Sequence, residues 1–242
     1  MPHKQSSAPK IAVLVNTYRR YSFEPSTRDS FTTTILGVAP SAKIDFYDPV
    51  DAQEYPRADD YDLVVLSGGT ADINAPEPWV LKMFEFIRAT VAASTVKLVG
   101  VCWGHQAVHV ALGGRLVVME EPELGVTTIK LTPQGGAFFD FAAEASKLDM
   151  HQFHRRKIVD PAPEFVPLTE DNQSFMSPDN RILTFQGHPE MNAKLAQSIL
   201  ADAPKYTEKL TAERRDGVSK AMEREQDGKA IFERIIRWIN EK

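Results

Sequence analysis

The sequence predicts an α/β fold: a largely parallel central sheet flanked by helices, with a small antiparallel region and a helical C-terminal tail. Three observations carry this. Short apolar segments recur through the first hundred residues, Ile11 to Val15 unbroken among them, as in strands buried on both faces. Amphipathic helical stretches alternate with them, which is the grammar of a parallel sheet. In the second half the pattern changes to Val-, Ile- and Thr-rich segments bounded by turn residues.

Ile11 to Asn16 is a continuous apolar run and reads as the first strand; Lys43 to Asp48 reads as the second, residues 62 to 66 as the third and 97 to 102 as the fourth. Pro78 to Ala93 carries Trp79, Val80, Met83, Phe84 and Ile87 at helical spacing, with Pro78 suited to a first turn. Trp103 to Leu112 reads as a helix that Gly113-Gly114 stops. Arg115 to Met119 and Gly125 to Leu131 read as strands. Ser174 to Met176 and Arg181 to Phe185 flank the turn Pro178-Asp179-Asn180 and predict a hairpin. From Asn192 onward the chain reads as helical. Residues 205 to 226 are highly charged, fit for an exposed helix or a partner surface. Ile231, Ile235, Ile236, Trp238 and Ile239 form the stripe of a closing helix, read as docked on the core.

With 242 residues, 43% hydrophobic and 25% charged, the chain fits one domain over 1–242, with 1–9 flexible and 192–242 as a helical tail. A net charge of -5 argues against general nucleic-acid binding. A single cysteine rules out an internal disulfide and suits a reducing compartment. Met1 to Lys10 has no apolar leader core, and no apolar run approaches the roughly 20 residues of a membrane span. The expected location is the cytosol, with nuclear entry left open, and neither nucleic acid nor membrane is an expected partner.

That single cysteine, Cys102, follows the apolar run Lys97-Leu98-Val99-Gly100-Val101 and precedes Trp103-Gly104-His105-Gln106-Ala107. Strand, glycine, thiol, glycine, helix is the layout of a nucleophile elbow, with a helix N-terminus aimed at the sulfur. A lone cysteine is more often a packing thiol. A packing thiol, however, does not call for Gly100 and Gly104, which weaken a strand end and a helix start unless backbones approach closely there. Downstream, Gly187-His188-Pro189-Glu190 offers an imidazole and, two residues on along an extended segment, a carboxylate on the same face. Thiol, base and orienting acid are the parts of a cysteine hydrolase: His188 takes the thiol proton and later protonates the leaving amine.

Taken together, Ser67-Gly68-Gly69, Gly100-Val101-Cys102-Trp103-Gly104-His105-Gln106 and Gly187-His188-Pro189-Glu190 resemble the class I glutamine amidotransferase family, in its order and over roughly residues 10 to 200. Within it the chain is most similar to free-standing gamma-glutamyl peptidases. The resemblance implies a flavodoxin-like arrangement of the sheet. It also implies Cys102, His188 and Glu190 as the catalytic set. The amides of Gly69 and Trp103 become the oxyanion donors, with Gly68 beside the substrate and Gln106 on its glutamyl group. The family usually has proline after the glycine pair, where this chain has Thr70. Met150 to Lys157 matches the segment that closes over the substrate, with His154 on the family's histidine. Many glutaminases then carry an acidic residue for the substrate's ammonium; here Arg155-Arg156-Lys157 follow. That run reads either as a solvated turn or as a mouth accepting an extra carboxylate.

His105 and His109 lie four apart on the elbow helix, a spacing able to bind metal, but two ligands without a cluster do not make a site. No metal or cofactor is expected. The expected function is hydrolysis of a gamma-glutamyl amide through a glutamyl thioester, with a small gamma-glutamyl molecule as substrate. The alternatives are a glutaminase subunit passing ammonia to a separate synthase, a non-catalytic regulatory member of the fold, and a thiol hydrolase with other substrates. The helical tail leaves a synthase or a second copy of the chain as the macromolecular partners to consider.

Overall fold

The structure is a computed structural model and describes residues 8–74, 77–203, 206–208 and 210–241. Most of the 1–9 segment expected to be flexible lies outside the described residues. In chain order the elements are β1 (Lys10–Leu14), α1 (Glu24–Val38), β2 (Lys43–Tyr47), β3 (Leu63–Leu66), α2 (Pro78–Ala93), β4 (Lys97–Val101), α3 (Trp103–Ala111), β5 (Arg115–Lys130) and α4 (Pro133–Phe138). They continue with β6 (Lys147–Asp160), β7 (Val166–Pro167), β8 (Ser174–Met176), β9 (Ile182–Phe185), α5 (Ala193–Asp202), α6 (Ala212–Met222) and α7 (Gly228–Trp238).

The main sheet has the order β2-β1-β3-β4-β9-β8-β7, and β5 and β6 form a separate antiparallel pair. The first five strands in that order run parallel, while β8 and β7 extend the sheet antiparallel. Strand alternation explains the layering. Ile11, Val13, Val65, Val99 and Val101 face a core closed by Phe31 and Ile35 of α1 and by Ile231, Phe232, Ile235 and Trp238 of α7. Ala12, Leu14, Val64, Leu66 and Leu98 face the opposite core, closed by Trp79, Val80, Met83 and Ile87 of α2 and by Val108 of α3. The closing helix is therefore docked: Trp238 is fully buried, and its indole N–H donates to Asn180 at 2.7 Å.

Three features depart from the sequence reading. The two strands expected over 115–119 and 125–131 are one strand, β5, whose register with β6 shifts between Val118 and Glu123, next to Pro122. Strand β6 was not expected, because His151, His154, Arg155, Arg156 and Lys157 give it no clean apolar alternation. Helix α1 was not expected either: three consecutive threonines (Thr32, Thr33, Thr34) and Gly37 lower its propensity, and only Pro25, in its first turn, marks a helix start. It holds because Phe31 and Ile35 are fully buried against the sheet and α7.

Candidate active site

The site forms beyond the carboxyl ends of β1, β3, β4 and β9, where parallel α/β sheets bind ligands. Cys102 follows β4 with φ 48° and ψ −100°, a left-handed conformation that costs a non-glycine residue roughly 1–3 kcal/mol. Its N–H donates to the Phe185 carbonyl at 2.7 Å, and the chain turns at once into α3. The flanking glycines have a steric cause. A Cβ on Gly104 would stand 2.3 Å from the Leu66 carbonyl oxygen, and one on Gly100 would stand 2.8 Å from Gly104 itself. The strand and helix cross too closely for any side chain there.

The loop after β3 is pinned to the end of β1. Ser67 Oγ accepts from the Asn16 N–H at 2.9 Å, and the Asn16 amide donates to the Ser67 carbonyl at 2.8 Å. This brings Gly69 against Trp103: a Cβ built on Gly69 would lie 3.2 Å from the Trp103 ring. Gly68 lies against the imidazole of His188, whose Cε1 would be 2.7 Å from such a Cβ. Thr70 lines the same cavity with a buried hydroxyl that has no hydrogen-bond partner among the described residues.

His188 follows β9, and its backbone N–H donates to the His151 carbonyl at 2.8 Å, tying it to β6. His188 Nδ1 lies 2.8 Å from Glu190 Oε1, and the Cys102 sulfur, which lines the same cavity, donates a long hydrogen bond to the Phe153 carbonyl at 3.9 Å. Burial opposes charge on this imidazole. Cys102 and the Glu190 carboxylate outweigh it and push His188 up to about 10. Glu190 is held from behind, its carbonyl accepting from Ser30 Oγ at 2.5 Å. The set can form an ion pair of thiolate and imidazolium, with a carboxylate stabilising the cation.

The model of the family described as "Glutamine amidotransferase class-I" matches residues 31–203. The chain belongs to the class-I glutamine amidotransferase family. It is 36% identical over 236 residues to the glutamine amidotransferase-like protein chyE of Penicillium rubens, covering 96% of this chain and 97% of that one. Gamma-glutamyl peptidase 2 of Arabidopsis thaliana is 27% identical over 209 residues, 77% of this chain and 82% of the relative. The crystal structure of a glutamine amidotransferase from Thermotoga maritima superposes with a TM-score of 0.74 at 18% identity, covering 96% of this chain and 99% of that one, a likeness of fold.

In this chain, Cys102, His188, Glu190, Gly68 and Gly69 line one small cavity of about 40 Å³. Gln106 and His154 do not line it. The Gln106 amide donates to the Arg156 carbonyl at 3.2 Å and to Gln186 Oε1 at 3.1 Å, behind the elbow. His154 is buried with Nδ1 on the Arg156 carbonyl at 3.0 Å and Nε2 3.1 Å from Glu123 Oε2. Gln106 ties β6 to the elbow helix and to Gln186 after β9, while His154 bonds within the β5–β6 pair. Of the basic run, Arg156 pairs with Asp72 at 3.2 Å, and Arg155 is exposed. Both line a second cleft with Tyr206, which walls the cavity on its other side.

His109 has both ring nitrogens engaged, with the Ala162 N–H at 3.0 Å and Thr184 Oγ1 at 3.2 Å. Among the described residues no group of three or more His, Cys, Asp or Glu side chains is placed to hold a metal ion, and no helix is long and apolar enough to cross a membrane.

One contributor carries no sequence signal: Gln226, between α6 and α7. Its amide donates to the carbonyls of His188 and Pro189, both at 3.3 Å, and of Met191 at 2.5 Å, while its oxygen accepts from the His151 N–H at 3.1 Å. A glutamine in a charged segment matches no motif, and only the folded tail brings it to the turn that carries His188.

Proposed function

We propose that this family member is a thiol hydrolase that cleaves gamma-glutamyl amides through a glutamyl thioester on Cys102. The observation that carries the reading is the left-handed backbone of Cys102 at the strand–helix junction, beside an imidazole backed by Glu190. A cysteine held only for packing gives no reason to keep that strain. The similarity to a gamma-glutamyl peptidase supports the choice of bond.

The Cys102 sulfur attacks the amide carbon, forming a C–S bond while the carbonyl oxygen gains negative charge. Backbone N–H groups of Gly69 and Trp103 are the proposed donors to that oxygen. His188 then gives its proton to the amine nitrogen, the C–N bond breaks and the amine departs. A water molecule, deprotonated by the now neutral His188, attacks the thioester carbon. Collapse releases glutamate and restores thiolate and imidazolium. Glu190 holds the ring and stabilises its charged form throughout.

The test is to mix the protein with gamma-glutamyl amides, quench with acid and measure intact mass. A covalent glutamyl adduct that maps to Cys102 and is absent in Cys102→Ala is expected. Steady turnover of glutamine or gamma-glutamyl peptides by a folded Cys102→Ala protein would overturn the assignment. Glutamine turnover that appears only with a co-purifying synthase would favour the ammonia-supplying alternative.

A further inference from the structure

The cavity at Cys102 is chemically lopsided. Thr17, Gly68, Gly69 and Thr70 form one side. Phe23, Phe153, Met191, Leu195, Ile199 and Tyr206 form the other. The apolar side belongs to a hydrophobic cluster distinct from the two cores of the sheet. It is built by α5 and α6 with Phe23, and Phe153 closes it from β6. Among the lining residues the only charge-bearing side chains are Cys102, His188 and Glu190, the last two paired at 2.8 Å.

We infer that the amine half of the substrate carries an uncharged apolar group, alkyl or aryl, which seats against Met191, Leu195 and Ile199. This rests on the proposed gamma-glutamyl amide chemistry. His188 must protonate the departing amine, so that amine leaves from the imidazole side of the thioester. Met191 follows Glu190 directly in the chain, Leu195 and Ile199 lie one helical turn apart on the buried face of α5, and all three line the cavity with His188. A carboxylate on the amine, as in a peptide, would be desolvated there without a partner, at a cost in binding. Arg155 and Arg156 line the neighbouring cleft with Tyr206, whereas Met191, Leu195 and Ile199 offer no cation to a carboxylate. The cavity measures about 40 Å³, room for a few waters.

The overall reaction is balanced hydrolysis: the amide C–N bond breaks, water supplies OH to the acyl carbon and H to the amine, and glutamate and the free apolar amine are released. The experiment measures kcat/KM for gamma-glutamyl methyl-, ethyl-, propyl- and butylamide, gamma-glutamyl anilide, gamma-glutamylglycine and glutamine. The expected result is a rise toward about fourfold per added methylene, with gamma-glutamylglycine below the butylamide. Ile199→Gln and Leu195→Gln should each flatten the alkyl series, lowering the butylamide-to-glutamine ratio. A flat or falling series, with glutamine or gamma-glutamylglycine turned over well, overturns this inference and leaves the thiol-hydrolase reading standing. No turnover and no Cys102 adduct with any member of the panel overturns that reading and this inference with it.

Discussion

The side-chain amide of Gln226 donates to the main-chain carbonyl of His188, so the segment between the last two helices holds the turn that presents the proposed base. The same side chain reaches His151 on β6, and the amide thus joins the tail, the turn and the second sheet. Gln226 is a positioning residue. Gln226→Ala should lower kcat about 10- to 100-fold, as expected when a reacting group shifts by a fraction of an ångström to an ångström, with KM changed far less. Kinetics on the best gamma-glutamyl substrate check this. A raised KM with kcat retained would assign Gln226 to substrate binding instead.

Gly68 and Gly69 should respond differently to alanine. On Gly68 the added methyl meets the imidazole of His188, a side chain that can swing away. On Gly69 it meets the Asn16 carbonyl at 2.3 Å, which is backbone. Gly68→Ala should therefore keep the fold and lose activity, at least about tenfold, through a displaced base. Gly69→Ala should lose stability, by about 1–3 kcal/mol as for other overpacked sites. Thermal unfolding and turnover of the two variants decide it, and the reverse pattern would mean that the loop is held otherwise.

The legible parts of this chain were the local ones. Strands β1, β3 and β4 are short unbroken apolar runs, α2 has a proline start and an apolar stripe, and Cys102 sits between two glycines that steric contact explains. His188 and Glu190 are two residues apart, so their relation survives in the sequence. Strand β6 did not, because its partner β5 supplies the hydrogen bonds while its own residues are basic and imidazole-rich. Gln226 could not be found in that way either, since its contact with His151 spans 75 residues. Gln106 and His154 show the converse limit. A motif locates a residue in the chain, but their side chains turn to the sheet and to β6, not into the cavity.

The backbone of Cys102 makes a stability prediction that is independent of activity. Its φ of 48° suits glycine and strains alanine. Both Cys102→Gly and Cys102→Ala should be inactive. The glycine variant should be the more stable of the two by up to about 1 kcal/mol, although it lacks a methyl group and frees the unfolded chain. Urea unfolding of the pair checks it. A clearly more stable alanine variant would mean that the elbow relaxes and holds no strain.

His188→Ala should reduce turnover roughly 10²–10⁴-fold, the range for loss of a general acid–base group. Glu190→Gln should be milder, because it keeps a hydrogen-bonding partner beside Nδ1 and removes only the charge. It should also weaken the imidazolium, moving the alkaline limb of the rate profile to lower pH, since Glu190 is among the groups that raise His188. The pH dependence of kcat/KM in wild type and Glu190→Gln tests this. A larger loss in Glu190→Gln than in His188→Ala would reverse the roles.

Stability against pH should be governed in part by histidines that the proposed chemistry does not use. Burial lowers His105 well below its ordinary 6.5, His109 to about 3 and His151 to about 4. Each is neutral when folded and protonated when unfolded as pH falls below 6.5, so the unfolded chain binds more protons there. Their stabilising contribution is complete above 6.5 and is lost as pH falls toward the folded values, at up to about 1.4 kcal/mol per pH unit for each. His188 has the opposite sign: raised to about 10, it contributes below 6.5 and loses that contribution as pH rises through 10. His105 is the cleanest probe, since it is fully buried between His109 and Phe175 and neither ring nitrogen has a partner among the described residues. His105→Leu should raise stability at neutral pH by about 1–3 kcal/mol, the usual cost of unsatisfied buried polar groups. It should also reduce the loss between pH 6.5 and 4.5 relative to wild type. Urea unfolding of both proteins across that range measures it. Parallel curves would show that His105 is not held neutral in the folded state, and that the acid sensitivity comes from other groups.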